Sequence, residues 1–287
     1  FEAGILHRLE SERIKNGLQT ILKRADFDKN YFDSTEALDI FQFIDEKLQH
    51  LVGELGLKIQ IGRSPNDRGS TALRFWLREE IVLVYRILRE IQEFFLNFAE
   101  QNKETIFLIK DSSGNSKPIL FAHWCLAKFE IFKNDRERLD EVWRRINIMT
   151  LGSNHGTGTS LEYDREELAA KLGFQGISNN SLEAFHNQDY IVEFVNANSL
   201  VSIHLRNFID ELAEHIKSQQ LSFEKEFNDF YPELIYSKLT KIFGYQVELN
   251  ADFHTFSQNN NSYIKGNLEA IFALVDLLKN CLLGFQC

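Results

Sequence analysis

The sequence has few of the residues that mark secreted, membrane or metal-binding proteins. Its three cysteines show no CxxC spacing, so neither a disulfide framework nor a cysteine-based metal site is expected. No apolar run reaches the roughly 18 residues that span a membrane, and no signal peptide is visible. Only three prolines occur in 287 residues, which favours helices. These absences predict an all-α protein of the reducing cytoplasm, without a membrane partner.

Positive charge is also scarce. The chain has 32 basic and 42 acidic side chains, a formal net charge of −10. It therefore has no electrostatic reason to bind nucleic acid or an anionic membrane. None of its eight histidines belongs to an HExxH pair or an equivalent. We expect no metal, no cofactor and no nucleic acid, whereas a local basic pocket for a small anion is compatible with this charge.

What the chain does contain is a series of long apolar patterns with helical spacing. They predict helices over residues 3–24, 34–54, 70–102, 118–147, 165–173, 187–218, 222–243 and 264–283, with an irregular segment over 244–262. The pattern over 70–102 is apolar on nearly every side, as in a helix that is buried within a bundle. The predicted architecture is a bundle of long helices.

Two domains are expected from this organisation. Residues 1–58 would form part of an N-terminal helical domain, and residues 59–287 a central long-helix bundle that diverges after about residue 219. The opening stretch FEAGILHRLESERI reads as the middle of a helix rather than its beginning. We therefore expect that further residues of the protein precede Phe1.

The segment IQIGRSPNDRGS is polar, cationic and rich in turn-forming residues, and it stands directly before the most apolar helical pattern. One interpretation is a solvated helix entry, with Pro65 in a turn and Ser70 as the helix N-cap. The other is an anion seat formed by Arg63, Ser64 and Asn66. Arg63 would offer a planar fork to a carboxylate, the two neutral side chains would donate hydrogen bonds, and the helix start would add its dipole.

A second glycine-rich segment, GSNHGTGTS, resembles a phosphate-binding loop only superficially. It lacks the lysine of a P-loop, and no strand pattern precedes it. We interpret it as a flexible connector between helices. His155 lies within it and has no metal-binding partner at a fixed spacing.

Several segments in order resemble one family. IQIGRSPNDRGSTALRFWLREEI resembles the loop and helix of argininosuccinate lyases, in the fumarase/aspartase superfamily, whose pattern reads approximately GRSRND and then LxLWLR. RINIMTLGSNHGTGTSLEYDREELAAKLGF resembles the family's RVNxxPLGSGALAGTxxxIDRxxxAxxLGF. NNSLEAFHNQDYIVEFVNA resembles its xNSLDAVSDRDFxxEFLxA. The similarity covers about residues 1–218.

The resemblance implies both a fold and a chemistry. The family is built from three long-helix domains, and its tetramer has a core of twenty helices. Its reaction is a β-elimination that releases fumarate at sites formed by loops of three subunits. By motif match, Arg63, Ser64 and Asn66 would contact the substrate, and Asp67 would support their loop.

The departures from the family pattern fall on the catalytic groups. Where the family has a Thr-His pair this chain has Asp111-Ser112, and Phe41 replaces the histidine of a DIH motif. The family signature GSSxMPxKxNP, whose mobile loop carries the serine base, can be aligned in two registers. One places it on QNNNSYIKGNL and keeps Lys265 and Asn267 in the KxN positions, as substrate-binding candidates. The other places it on GYQVELNADFH. Both lack the serines.

Three functions remain open from the sequence. The one we favour is a degenerate lyase scaffold that these replacements exclude from ordinary catalysis. We expect it to form a homo-oligomer, a tetramer, and to bind a small anionic amino acid or dicarboxylate. The second is an enzyme of altered chemistry in which Asp111, Ser112 or His155 replaces the lost groups, since a carboxylate can abstract a proton when burial raises its pKa. The third is an ordinary argininosuccinate lyase.

Overall fold

A computed structural model describes residues 4–33, 36–110, 112–217, 232–254 and 263–284, and helices dominate these ranges. The α-helices are α1 (Arg8–Phe27), α2 (Ile40–Val52), α3 (Pro65–Gln101), α4 (Phe121–Ile146), α5 (Arg165–Lys171), α6 (Ser181–His186), α7 (Asp189–Lys217), α8 (Pro232–His254) and α9 (Tyr263–Leu283). A 3₁₀ helix, Gly53–Gln60, follows α2. The prediction of an all-α fold of long helices is confirmed. None of the described helices combines the length and hydropathy needed to cross a membrane.

Two short strand pairs were not predicted. Strands β1 (Ile106–Lys110) and β2 (Ser116–Leu120) form an antiparallel hairpin, and β3 (Ile148–Met149) pairs in parallel with β4 (Gly176–Ile177). Pro118, expected to begin a helix, instead lies in β2. The apolar run of β1 takes up strand geometry, so the following helix begins only after the hairpin.

Two helix boundaries also differ from the predictions, for identifiable reasons. Helix α2 begins at Ile40 because the Asp39 side chain caps it, accepting a hydrogen bond from Gln42 N–H at 2.8 Å. Helix α8 continues to His254, although residues 244–254 were expected to be irregular.

Asn250, within the segment that was expected to be irregular, has its hydrogen bonds satisfied within and beside the helix. Asn250 Nδ2 donates to the Gln246 carbonyl at 2.7 Å, and its Oδ1 accepts from Asn196 Nδ2 of α7 at 3.2 Å. An asparagine with both groups bonded no longer competes with the helix backbone for hydrogen bonds.

The chain divides into two compact units. The first unit comprises residues 1–75 and 147–187. Its apolar core has two clusters of buried residues, one around Ile14, Ile21 and Leu48 and the other around Met149, Ala169 and Phe174.

The second unit comprises residues 76–146 and 188–287. Its described part consists of long helices and the β1–β2 hairpin, and apolar contacts fill the space between the helices. Phe95 of α3, for example, contacts Phe132 of α4 at 6.1 Å and Phe208 of α7 at 5.1 Å between ring centroids. This packing is what a bundle of long helices requires.

Candidate functional site

The polar segment of the first unit forms a capped helix start. Ser64 precedes Pro65, the first residue of α3, and its buried hydroxyl accepts a hydrogen bond from the Asp67 N–H at 3.1 Å. Proline suits the first helical position because it has no N–H to leave unsatisfied there. The predictions that Pro65 lies in a turn and that Ser70 caps the helix are therefore wrong. Ser70 instead accepts a hydrogen bond from the Thr150 hydroxyl at 3.3 Å.

Asp67 joins this helix start to the second glycine-rich segment. Its buried carboxylate accepts from the Asn154 N–H at 3.0 and 3.1 Å and also from the N–H groups of Ser64 and Gly152. Burial raises the pKa of Asp67, and these hydrogen bonds oppose the rise. Asp67 thus supports its loop, as the resemblance implied, and it also holds the turn at 150–158 in place.

That turn presents His155 to solvent. Asn154 and His155 both have left-handed backbone angles, with φ of 39° and 34°, and Asn154 Nδ2 donates to the Gly158 carbonyl at 3.2 Å. The His155 side chain is exposed, and its ring contacts Phe185 at a centroid distance of 5.7 Å. The segment that was interpreted as a flexible connector is therefore a hydrogen-bonded turn that shares a unit with the anion seat.

Arg63 is half-buried and has no carboxylate within ion-pair distance among the described residues. One of its Nη groups donates to the Ile59 carbonyl. Burial lowers the pKa of Arg63, and the neighbouring Arg68 charge lowers it further. Arg68, by contrast, is neutralised by Asp45, with Nη1 at 2.9 and 3.0 Å from the two carboxylate oxygens.

Where the family's DIH motif has its histidine, this chain has Phe41, whose ring lies beside the ion-paired Arg68. The Arg68 guanidinium lies 5.3 Å from the centroid of the Phe41 ring. Phe41, Asp45 and Arg68 line one wall of a cavity of about 260 Å³ that also reaches Arg63. No imidazole remains at that position to transfer a proton.

Two further departures from the family motifs lie near the seat. They were not predicted, although a comparison with the motifs shows both. Pro65 stands where the GRSRND motif has its second arginine, so the seat has one guanidinium fewer than the motif. Tyr163 stands where the IDR motif has isoleucine. Its hydroxyl lies beside Gly152, only 2.5 Å from where a Cβ on that glycine would be. Burial raises the pKa of Tyr163.

The other two catalytic candidates, Asp111 and Ser112, directly follow β1 in the sequence. Ser112 is exposed in the connection between β1 and β2, in the second unit. Asp111 lies outside the described residues. Among the described residues, no group of His, Cys, Asp and Glu side chains is arranged to hold a metal ion.

A family model described as a lyase matches residues 2–228. The chain belongs to this lyase family. The argininosuccinate lyase of Pelotomaculum thermopropionicum is 33% identical to it over 99% of this chain and 65% of its own length. That of Moorella thermoacetica is 32% identical over 98% of this chain and 63% of its own length. The chain thus spans slightly less than two thirds of the length of these relatives.

Solved structures of similar lyases share the fold. An EDDS lyase in complex with formate matches with a TM-score of 0.79 at 20% identity, covering 98% of this chain and 59% of that one. A fumarate lyase from Mesorhizobium sp. BNC1 matches with a TM-score of 0.79 at 18% identity, covering 98% and 66%. The protein is an argininosuccinate lyase-like member of the fumarate lyase superfamily.

The structure also bears on the two registers for the lyase signature. Residues 244–254, one of the two alignments, form the end of α8 and not a loop. In the other alignment, Lys265 and Asn267 fall in the first turns of α9, and their side chains lie outside the described part of the chain. Residues 258–262, where that alignment needs its serines, also lie outside it.

Proposed function

We propose that this lyase-family protein binds a small dicarboxylate or anionic amino acid at the anion seat and does not carry out the ordinary cleavage of argininosuccinate. The observation that carries the proposal is the difference in ion pairing between two arginines of the first unit. Arg63 remains without a carboxylate, whereas Arg68 is neutralised by Asp45 and covers Phe41. Arg63 therefore remains available to an anionic ligand, whereas the histidine of the family motif is absent.

Magnitudes favour binding over catalysis. A single general acid or base contributes about 10²–10⁴ in rate. This chain lacks the family's Thr-His pair, the DIH histidine and, in both registers, the serine base. Groups that act as a unit are not additive, but their joint loss leaves little beyond binding. We further propose that the protein works as a homotetramer in the cytoplasm, as the resemblance implies.

The activity arm of the test is an assay of argininosuccinate cleavage, followed by fumarate absorbance. An argininosuccinate lyase relative assayed in parallel serves as the positive control. We expect a rate below about 10⁻³ of ordinary enzyme turnover, which is about 1–10³ s⁻¹. Fumarate release at ordinary rates would mean that the protein is an argininosuccinate lyase after all.

The binding arm is a titration of fumarate and succinate against the protein, followed by NMR chemical shifts. We expect saturation with a Kd near 1 mM, equivalent to about −4 kcal/mol. Arg63→Lys should weaken binding because an ammonium cannot reproduce the planar fork, and Asn66→Ala should weaken it by removing a donor. Identical titrations for the wild type and both variants would show that the segment is only the start of a helix and not a binding site.

A second candidate function is a lyase of altered chemistry. What favours it is the exposed imidazole of His155 on the turn that Asp67 holds to the start of α3. The test is to incubate amino acids and dicarboxylates with the protein and to follow formation of a new double bond by absorbance. Activity that is lost in His155→Gln would support this candidate, and no turnover of any substrate would remove it.

A further inference from the structure

The first unit contains a larger cavity whose walls are mainly apolar. Its volume is about 730 Å³, within the range of about 300–1,000 Å³ typical of small-molecule sites. Four leucines are among the lining residues: Leu6, Leu18 of α1, Leu168 of α5 and Leu172. Arg63 lines this cavity as well as the smaller one.

The other cations around the larger cavity are already paired. Lys58 Nζ lies 2.6 Å from the Glu10 carboxylate, and Lys171 Nζ lies 2.9 Å from that of Glu167. Arg63 has no such partner in the part of the chain that the structure describes. It is therefore the cation of this cavity that can accept an anionic group from a ligand without breaking an existing ion pair.

Neutral hydrogen-bonding groups accompany Arg63 at the cavity wall. Thr71 is buried, and its hydroxyl has no hydrogen-bond partner among the described residues. Tyr163 also lines the cavity, and its phenol is protonated at neutral pH and able to donate. A buried hydroxyl without a partner costs free energy that a ligand oxygen can recover.

We propose that this cavity binds a monocarboxylic acid with an extended nonpolar body, such as a medium-chain fatty acid. The carboxylate is held by Arg63 with hydroxyl donors from Tyr163 and Thr71, and the alkyl chain lies against the leucines of the lining. The inference rests on the proposed function, because it uses the same cation, and it names the ligand class that the cavity accepts.

The apolar walls decide against a dicarboxylate in this position. A second carboxylate in this cavity would lie among mainly apolar side chains, and the two lysines that line the cavity are already paired. Burying an unpaired charge in such surroundings is strongly unfavourable. An alkyl chain, in contrast, gains stabilisation with every methylene that it removes from water.

The test is a calorimetric titration with butanoate, hexanoate and octanoate, and with fumarate and 1-octanol as controls. We expect affinity to rise about fourfold for each methylene added, the equivalent of its transfer from water. Octanoate binding should show a negative heat-capacity change, which marks apolar burial. 1-Octanol, which lacks the charge, should bind at least tenfold more weakly. An affinity that is the same for all three acids would overturn the inference.

Variants locate the site and separate this inference from the proposed function. Arg63→Met should abolish octanoate binding, and Leu168→Phe or Leu18→Phe, on two different helices of the lining, should weaken it at least tenfold by filling the cavity. Two filling variants are used so that one remains informative if the other melts early. Asn66→Ala should leave octanoate binding unchanged and weaken fumarate binding.

The two ligands then give distinguishable outcomes. Octanoate binding without fumarate binding would support the cavity and remove the dicarboxylate part of the proposed function. Fumarate binding that depends on Asn66, without octanoate binding, would leave the proposed function standing and overturn the inference. Octanoate binding that is unchanged in Arg63→Met and in both filling variants would place the ligand elsewhere and would also overturn it.

Discussion

Asp67 is the residue on which the geometry of the candidate site depends most. The residue is 3% exposed, and its carboxylate accepts hydrogen bonds from the backbone N–H groups of Ser64, Gly152 and Asn154. A carboxylate that is buried without a cation is held by such hydrogen bonds alone. Asp67 therefore helps to fix the position of the 150–158 turn, and with it His155, together with Ser181, whose hydroxyl donates to the Gly156 carbonyl at 2.7 Å.

The raised pKa of Asp67 leads to a prediction about pH. Because the folded protein binds this proton more tightly than the unfolded chain does, Asp67 adds stability as the pH falls through its folded pKa, and this gain is complete below the ordinary aspartate value of about 3.9. Other carboxylates also titrate in this range, so the comparison is with Asp67→Asn. We expect melting temperatures of the two proteins, measured from pH 7 to pH 4, to shift relative to each other in favour of the wild type. A shift in favour of the variant would mean that the hydrogen bonds outweigh burial.

Gly62 gives a second prediction at the residue scale. It has φ of 70°, and a Cβ there would lie 2.2 Å from Leu161 Cδ1. Gly62→Ala should lower the free energy of unfolding by about 2–4 kcal/mol, from backbone strain and overpacking together. Urea denaturation measures this.

Gly158 is the matched control for that change. It has φ of 74° and no neighbour within 4 Å of an added Cβ, so Gly158→Ala should cost only the backbone part, about 1–2 kcal/mol. The double variant Gly62→Ala/Leu161→Ala should recover part of the packing loss. Equal effects of the two glycine changes would exclude the contact with Leu161.

The residue roles were predictable only where a motif fixed them. The support that Asp67 gives its loop followed from the family pattern. The donation from Arg63 to the Ile59 carbonyl did not, because a side-chain direction depends on neighbours that the pattern does not specify. The pairing of Asp45 with Arg68 joins residues far apart in the sequence, and no local spacing indicates it.

At the scale of elements, the start of α3 is set by one hydroxyl. Ser64→Ala removes the acceptor of the Asp67 N–H, so we expect a loss of about 0.5–2 kcal/mol in the free energy of unfolding. Ser64→Thr keeps a hydroxyl and should recover most of it. Denaturant midpoints at constant slope measure both. An alanine variant as stable as the wild type would show that the cap contributes nothing.

The elements themselves were predicted well where apolar periodicity was long. Helices α3, α4 and α7 each bury a long row of mainly apolar side chains, and such a row is visible in the sequence. The β1–β2 hairpin was missed because the run of four apolar residues in β1 has no periodicity that separates strand from helix. Helix α8 was cut short because the partner of Asn250 lies on α7, far away in the sequence.

At the scale of the whole molecule, the second unit exposes many large apolar side chains. They include Val82, Leu83, Phe94, Leu96, Leu126, Leu200, Ile203, Phe243 and Val247. Each exposed apolar Å² costs about 25 cal/mol relative to burial, and extended apolar patches mark interaction surfaces. We therefore expect a stable oligomer, as proposed above.

Light scattering at micromolar concentration tests this expectation. The wild type should have about four times the mass of one chain, and Leu83→Glu with Phe94→Glu should reduce that mass. Lys23→Gln changes an exposed polar position on α1, in the first unit, and should leave the mass unchanged. A wild-type protein that is monomeric at this concentration would contradict both the expectation and the proposed tetramer.

The hydrogen bonds of Asp67 also affect the order in which parts of the protein can fold during synthesis. The first unit consists of residues 1–75 and 147–187, and two of the three N–H groups that serve the carboxylate belong to its second segment. Synthesis proceeds from the N-terminus, so residues 76–146 must all be made before Gly152 and Asn154. Closing such a long loop is slow. The candidate site is therefore completed late, and a chain whose synthesis stops within that interval carries Arg63 and Asp67 but cannot complete the site.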